Sequence, residues 1–202
     1  VSSIDAGADT RAPDPVPAPS ATPNPALRRL DLENNVLRRA LEGTSLATML
    51  LSEEALEATL QEALASPLRT RDVWLFAYGS LVWNPVLDFE ERVVATVHGF
   101  HRSFCLWSRI NRGTPERPGL VLGLDRGGRC PGVAYRISER IAEAELRLLW
   151  RREMLLGSYS PRWVHTTRGG EPFRALAFVV NRQASGYAGR LSPERIVETL
   201  RH

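Results

Sequence analysis

Val73-Trp74-Leu75-Phe76-Ala77-Tyr78 is a short, continuously apolar run that ends at Gly79. A run of this length, closed by a turn residue, reads as a strand buried on both faces. The chain divides around it. Upstream, residues 1–71 contain none of the 15 aromatic residues, and six of the 14 prolines crowd into residues 12–25. Residues 1–28 form a Pro/Ala/Ser tail that cannot bury enough apolar surface to fold and is expected to be disordered. Residues 29–71 carry helical signals. Leu56, Leu60 and Leu64 fall at i, i+4 and i+8, with Ser52 as N-cap, Glu53 and Glu54 in the first turn, and Pro67 beyond the end. An earlier helix is expected from Asp31 to Glu42, stopped by Gly43. This region reads as a helical appendage docked on the main domain, residues 72–202.

Downstream of Asp72 the pattern is one of strands. Residues 92–107, rich in Val, Thr and Phe, read as one long or bent strand pair. Leu120–Asp125 and Cys130–Ile137 flank Arg126-Gly127-Gly128-Arg129, which predicts a hairpin. Ser138 caps a helix running to about Leu156, with Gly157 in the left-handed stop position. Arg162–Thr167 and Phe173–Asn181 read as two more strands. Ser192-Pro193-Glu194 opens a last helix with proline at its first position. Strands dominate and one long helix interrupts them, so the fold class is α+β, with a small curved or barrel-like sheet.

Composition narrows the functional classes. A chain of 202 residues with 43% hydrophobic and 24% charged residues is ordinary for a globular domain. No apolar run approaches the roughly 18 residues of a membrane span. No basic segment followed by an apolar stretch marks a secretory signal. All 26 basic residues are arginine, scattered along the chain against 23 acids, for a net charge of +3. Without a basic patch or stripe this does not point to nucleic acid. Residues 1–71 carry −3 and the rest +6, a weak and unspecific attraction for an anionic ligand. Two cysteines, Cys105 and Cys130, are too few for a disulfide scaffold and read as reduced thiols of a cytoplasmic protein.

Three places carry chemistry. In the turn Tyr78-Gly79-Ser80-Leu81, Gly79 permits positive φ or close backbone approach, successive N–H groups can face an anion, and Ser80 adds a hydroxyl. Against this stands an ordinary tight turn. On the long helix, Leu146, Leu149, Trp150 and Leu156 share a face with Glu153 in its midst. Burial raises a carboxyl's pKa and makes it a candidate acid/base. Its alternative role is a structural ion pair, to Arg152 or another arginine. Third, the loop from Arg112 to Gly119, with two glycines and two prolines, offers its Thr and Arg side chains to a ligand carboxylate, or merely connects strands. Glu116 lies in that loop beside Arg117 and reads as solvated or paired. His98 and His101 point to opposite faces of a strand, which argues against metal binding.

Together these pieces resemble the ChaC family of γ-glutamylcyclotransferases. The resemblance rests on Phe76-Ala77-Tyr78-Gly79-Ser80-Leu81-Val82-Trp83-Asn84-Pro85, Gly99-Phe100-His101-Arg102-Ser103-Phe104-Cys105, Arg112-Gly113-Thr114-Pro115, Gly132-Val133-Ala134-Tyr135-Arg136 and Leu149-Trp150-Arg151-Arg152-Glu153-Met154, in order and spacing. It covers about Val73 to Leu200. Ala77 stands where the family commonly has Gly, and family members usually continue past the position of His202. The resemblance implies a small barrel-like fold and a lyase that converts glutathione to 5-oxoproline and cysteinylglycine without cofactor or metal. It further implies that Glu153 is the acid/base and that Tyr78, Gly79, Ser80 and Leu81 form the substrate loop, with Arg112, Gly113 and Tyr159 as further substrate contacts. The rival readings are a same-fold enzyme acting on other γ-glutamyl amides and a non-catalytic regulator of cation transport.

Overall fold

The computed structural model describes residues 27–67, 69–110 and 112–201. The expected disordered tail lies outside them, apart from Ala26's successors Leu27 and Arg28. Five strands close into a barrel: β1 (Val73–Ala77), β2 (Glu91–Ser108), β3 (Gly119–Ile137), β4 (Tyr159–Arg168) and β5 (Glu171–Val180), in the order β1-β3-β2-β4-β5. All pairings are antiparallel except the seam, where β1 runs parallel to β5 with Leu75 opposite Leu176.

The apolar run of β1 is continuous because both its faces are buried. Val73, Leu75 and Ala77 pack in the cluster shared with the helices, whereas Phe76 and Tyr78 belong to a second cluster with Val93, Val97, Leu124 and Val164. The arrangement is α+β and barrel-like, as the strand-rich pattern implies.

The predicted hairpin at 126–129 is not there. β3 is one strand through these residues, and β2 is likewise one strand. They pair along their whole lengths, with register shifts between His98 and Phe100 and between Phe104 and Leu106. Gly127 and Gly128, at φ of 101° and 72°, face Gly99 at 83°. The glycines serve a bulge that bends an unbroken strand pair rather than a turn that reverses it. Sequence alone does not separate the two, since both require positive φ.

Among the described residues, five α-helices accompany this sheet. The helix expected over Asp31–Glu42 is two, α1 (Arg29–Glu33) and α2 (Val36–Glu42), broken where Asn35 takes the left-handed conformation at φ 52°. Asparagine is among the few residues that tolerate it. In α3 (Glu53–Leu64) the Ser52 hydroxyl accepts from the Ala55 N–H at 3.1 Å, the expected cap. The long helix α4 spans Glu139–Glu153 and so ends before Leu156. The chain turns there: the Gly157 N–H donates to the Met154 carbonyl at 3.0 Å, with Gly157 left-handed at φ 63°. Glu153 is therefore the last helical residue, not the middle of a longer face. α5 (Pro193–Leu200) is capped by Ser192.

The inner face of α4, Ala142, Leu146, Leu149 and Trp150, is fully buried between Leu56 and Leu60 of α3 and the outer face of β1. The Trp150 indole N–H donates to Thr59 Oγ1 at 3.0 Å, and that of Trp163 to the Ala63 carbonyl at 2.9 Å. The N-terminal helices thus share one core with α4 and the barrel. No helix of the described residues is long and apolar enough to cross a membrane.

Truncating a side chain in this layer leaves a cavity under α4. Leu149→Ala is expected to cost about 2–5 kcal/mol. It should appear as a lowered urea midpoint with an unchanged denaturant slope.

Candidate active site

β1 delivers its last residues to the mouth of the barrel. Tyr78 is buried, and its hydroxyl donates to the Phe178 carbonyl of β5 at 2.8 Å. The chain then makes a single 3₁₀ turn, Ser80–Val82, closed by the Val82 N–H on the Gly79 carbonyl at 2.9 Å and the Asn84 N–H on the Ser80 carbonyl at 2.9 Å. Gly79 sits at φ −129°, so the turn does not use its access to positive φ. What glycine leaves there is space: a Cβ on it would meet nothing within 4 Å. Among the described residues, the N–H groups of Gly79, Ser80 and Leu81 have no acceptor. Leu81 turns its side chain into the core, and its carbonyl accepts from the Tyr135 hydroxyl at 3.0 Å.

Glu153 comes to this turn from the end of α4 with 14% of its side chain exposed. Its Oε1 lies 2.9 Å from Nε of Arg152, itself 10% exposed. The same guanidinium donates from Nη2 to the Ser80 hydroxyl at 2.9 Å and from Nη1 to the Asn84 carbonyl at 2.7 Å. One arginine thus fixes the carboxylate and both ends of the turn. The ion pair weighed as an alternative to function is present, and its partner also holds the candidate substrate loop. Burial pushes the Glu153 carboxyl above its ordinary 4.5, partly opposed by Arg152.

Tyr159, the first residue of β4, lies within electrostatic reach of Glu153. Burial raises its phenol, with a further upward push from the Glu153 charge, against a hydrogen-bond contact with Tyr78. Tyr78 is raised by burial first, then by Tyr159 and by the Glu153 charge. Both phenols are kept neutral and can only donate or accept hydrogen bonds. Tyr78, Gly79, Ser80, Leu81, Glu153 and Tyr159 are thus brought together.

Arg112 and Gly113 belong to the loop joining β2 to β3, whose Ile110 packs on the cluster that holds Leu81. The Arg112 N–H donates to Ser108 Oγ at 3.2 Å, and the Thr114 N–H to the Arg117 carbonyl at 3.0 Å. These bonds stay within the loop and its β2 stem. Glu116 is exposed there. His98 and His101 are exposed, held by Thr167 Oγ1 at 2.9 Å and the Gly127 carbonyl at 3.0 Å, and the His98 ring lies 5.3 Å from that of His165. Among the described residues, no group of three or more His, Cys, Asp or Glu is placed to hold a metal ion.

Two polar features escaped sequence reading. Arg102 donates to the Tyr78 carbonyl at 2.8 Å, anchoring the entry to the turn. Asp125, 6% exposed, accepts from the Arg126 N–H at 2.8 Å, from Arg182 Nε at 2.7 Å and from the Tyr187 hydroxyl at 2.9 Å. An aspartate closing the apolar run Leu120–Leu124 was a visible signal for a buried carboxylate. Its side-chain partners, Arg182 and Tyr187, more than fifty residues away, had none.

A closed five-stranded barrel thus carries a buried carboxylate that Arg152 links to a glycine-serine turn. Residues 73–201 match the family of ChaC-like proteins. The chain is 44% identical over 135 residues to the glutathione-specific γ-glutamylcyclotransferase of Escherichia coli, covering 66% of this chain and 58% of that protein. It is 35% identical over 132 residues to glutathione-specific γ-glutamylcyclotransferase 1 of Homo sapiens, covering 63% and 59%. The chain thus spans about three fifths of the length of these curated relatives. Its fold is similar to that of a crystallised yeast γ-glutamylcyclotransferase specific to glutathione, at a TM-score of 0.58, 19% identity, and coverage of 64% and 78%. The chain belongs to the ChaC-like family.

Removing the cation beside Glu153 leaves burial unopposed, so the carboxyl should hold its proton to still higher pH. In Arg152→Gln the ¹³C carboxyl resonance of Glu153 is expected to titrate above its value in the native chain, which itself stands above 4.5. A carboxyl whose folded pKa exceeds its unfolded one lowers stability as pH rises from the unfolded to the folded value. The variant should therefore show this loss over a wider pH interval.

Proposed function

We propose that this chain is a γ-glutamylcyclotransferase that cleaves glutathione to 5-oxoproline and cysteinylglycine, with Glu153 as general acid/base. The observation that carries the reading is the buried Glu153 carboxylate held by Arg152 against a turn whose N–H groups find no acceptor among the described residues. The names of the curated relatives support the substrate.

The reaction needs one proton moved and one charge stabilised. The α-amine of the γ-glutamyl group attacks its own γ-carbonyl carbon, a new C–N bond closes a five-membered ring, and the old amide C–N bond breaks. The nucleophile is tethered, so much of the entropic cost of bringing reactants together is already met. Glu153 accepts the amine proton as the bond forms and returns it to the nitrogen of the departing cysteinylglycine. Electrons and protons balance without an external redox partner. A carboxyl raised by burial is a stronger base than an ordinary glutamate.

The N–H groups of Gly79, Ser80 and Leu81 are the donors for the γ-glutamyl α-carboxylate or for the oxyanion developing on the γ-carbonyl. The Ser80 hydroxyl accepts from Arg152, which leaves its own hydrogen to donate to substrate. Tyr78 and Tyr159 supply neutral phenols at the wall. Arg112 and Gly113, on their separate loop, are in this reading the contacts for the far end of the substrate. The two buried free thiols, Cys105 and Cys130, suit a reducing compartment and a cytoplasmic substrate.

Incubation of the purified chain with glutathione, with 5-oxoproline measured, tests the proposal. Glu153→Gln is expected to lower release by about 10²–10⁴-fold, the usual worth of a positioned acid/base, while folding is retained. Equal release by both proteins would remove Glu153 from the chemistry. Release from other γ-glutamyl peptides but not glutathione would transfer the reading to the wider substrate class.

A further inference from the structure

The segment before the barrel is fastened to the site by its own set of polar bonds. Arg29 of α1 meets Glu145 of α4 with both arms of its guanidinium, Nη1 to Oε2 at 2.7 Å and Nη2 to Oε1 at 2.8 Å. Glu145 is only 3% exposed, and its Oε2 also accepts the Asp88 N–H at 3.0 Å. Arg29 Nη1 lies 3.7 Å from the Asp88 carboxylate, and its Nε donates to Glu33 at 2.9 Å. A few residues away, the Asn84 side-chain amide donates to the Leu27 carbonyl at 3.0 Å. On the other flank, Arg151 Nη1 donates to the carbonyls of Leu32 and Glu33 at 3.4 and 3.2 Å. Leu32 is buried beneath.

These bonds converge on the support of the turn. Asn84 is held from one side by Leu27 and from the other, through its carbonyl, by Arg152. Arg152 in turn holds Ser80 and Glu153. Asp88, four residues beyond Asn84, is pinned to Glu145 on the same helix that carries Glu153. As adhesive, a buried ion pair is weak, because desolvation of the two charges nearly offsets their attraction. What a two-armed arginine–carboxylate pair supplies is fixed orientation. Residues 27–33 also lie outside the stretch 73–201 that matches the family.

We propose that Leu27–Glu33 is a strap that sets the Gly79–Asn84 turn against Glu153, and that Arg29 and Glu145 are positioning residues that form its clasp. The polar bonds of the strap go to Asn84, Glu145 and Arg151 rather than to the candidate carboxylate. It acts through Asn84 and Arg152. This role rests on the reading of Glu153 as acid/base, but the placement of the turn is measurable without it.

The test uses the full chain and compares Arg29→Ala, Arg29→Lys and the charge exchange R29E/E145R with the native protein. Arg147→Ala serves as the control, since it breaks the tie of α4 to Glu57 of α3 on a flank that does not reach Asn84. Arg29→Ala is expected to speed hydrogen exchange in residues 80–88. It should lower kcat for 5-oxoproline release by roughly tenfold to a hundredfold with little change in KM, the scale of a small misplacement at the reacting centre. The groups facing Glu153 are Arg152, Tyr78 and Tyr159. As Arg152 loosens, the acid limb of the pH profile should move up. Arg29→Lys keeps the charge without the fork and should lie between the two, and it carries the test if the alanine variant does not fold. The charge exchange should recover part of kcat. The control should lose thermal stability alone. An Arg29→Ala protein with native kcat and pH profile, or with native exchange in residues 80–88, would overturn the strap. A native chain inactive on every γ-glutamyl peptide would instead overturn the activity, leaving exchange and the Glu153 carboxyl titration to decide the strap.

Discussion

Closure of the barrel at β1 is the constraint from which the rest follows. β1 is five residues long, yet it must pair with β3 on one side and complete the ring with β5 on the other. The seam with β5 holds a single register pair, Leu75 with Leu176, reinforced just beyond the strand by the Tyr78 hydroxyl on the Phe178 carbonyl. A strand in that position has no solvent face. One side meets the barrel interior and the other meets α4, which is why every residue from Val73 to Tyr78 is apolar or aromatic. The Gly79–Leu81 turn issues directly from this clamped strand, so its backbone donors inherit the rigidity of the seam.

The polar chemistry sits where regular structure stops. Glu153 ends α4, Gly79–Leu81 follows β1, and Tyr159 opens β4. At these ends the backbone has unspent donors and the side chains are not committed to layer packing. Arg152 links them, spending all three guanidinium nitrogens on Glu153, Ser80 and Asn84. The competition between burial and this one cation sets the proton affinity of the carboxylate. A second polar knot, Asp125 with Arg182 and Tyr187, ties the stretch after β5 to the middle of β3. It does for that loop what Arg29 and Glu145 do for α1.

Much of this was legible in the sequence where the signal is local. The apolar run gave β1, the Ser52 hydroxyl and following glutamates gave the start of α3, and adjacency in sequence made Arg152 a visible partner for Glu153. Where two structures make the same local demand, reading failed. Gly127-Gly128 satisfies a hairpin or a bulge, and only the unbroken partner strand β2 decides between them. Asn34-Asn35 reads as ordinary helix until one of them turns left-handed. Leu156 continues the apolar spacing of α4, but the left-handed Gly157 drew the chain out of the helix earlier than a single stop residue suggests. Contacts between distant segments, such as Arg29 with Glu145 or Asp125 with Tyr187, leave no pattern in either segment alone.

The seam also orders events in time. The Tyr78 hydroxyl and the Phe178 carbonyl lie 100 residues apart in the chain. At the usual pace of synthesis, Tyr78 leaves the ribosome roughly 5–20 s before its partner. For the first part of that interval β3 is also unmade, and afterwards β1 pairs only with β3, its other edge an apolar strand open to other chains. A nascent chain therefore carries an open apolar edge until β5 emerges, and the residue that anchors the turn in the finished protein waits that long to find its partner.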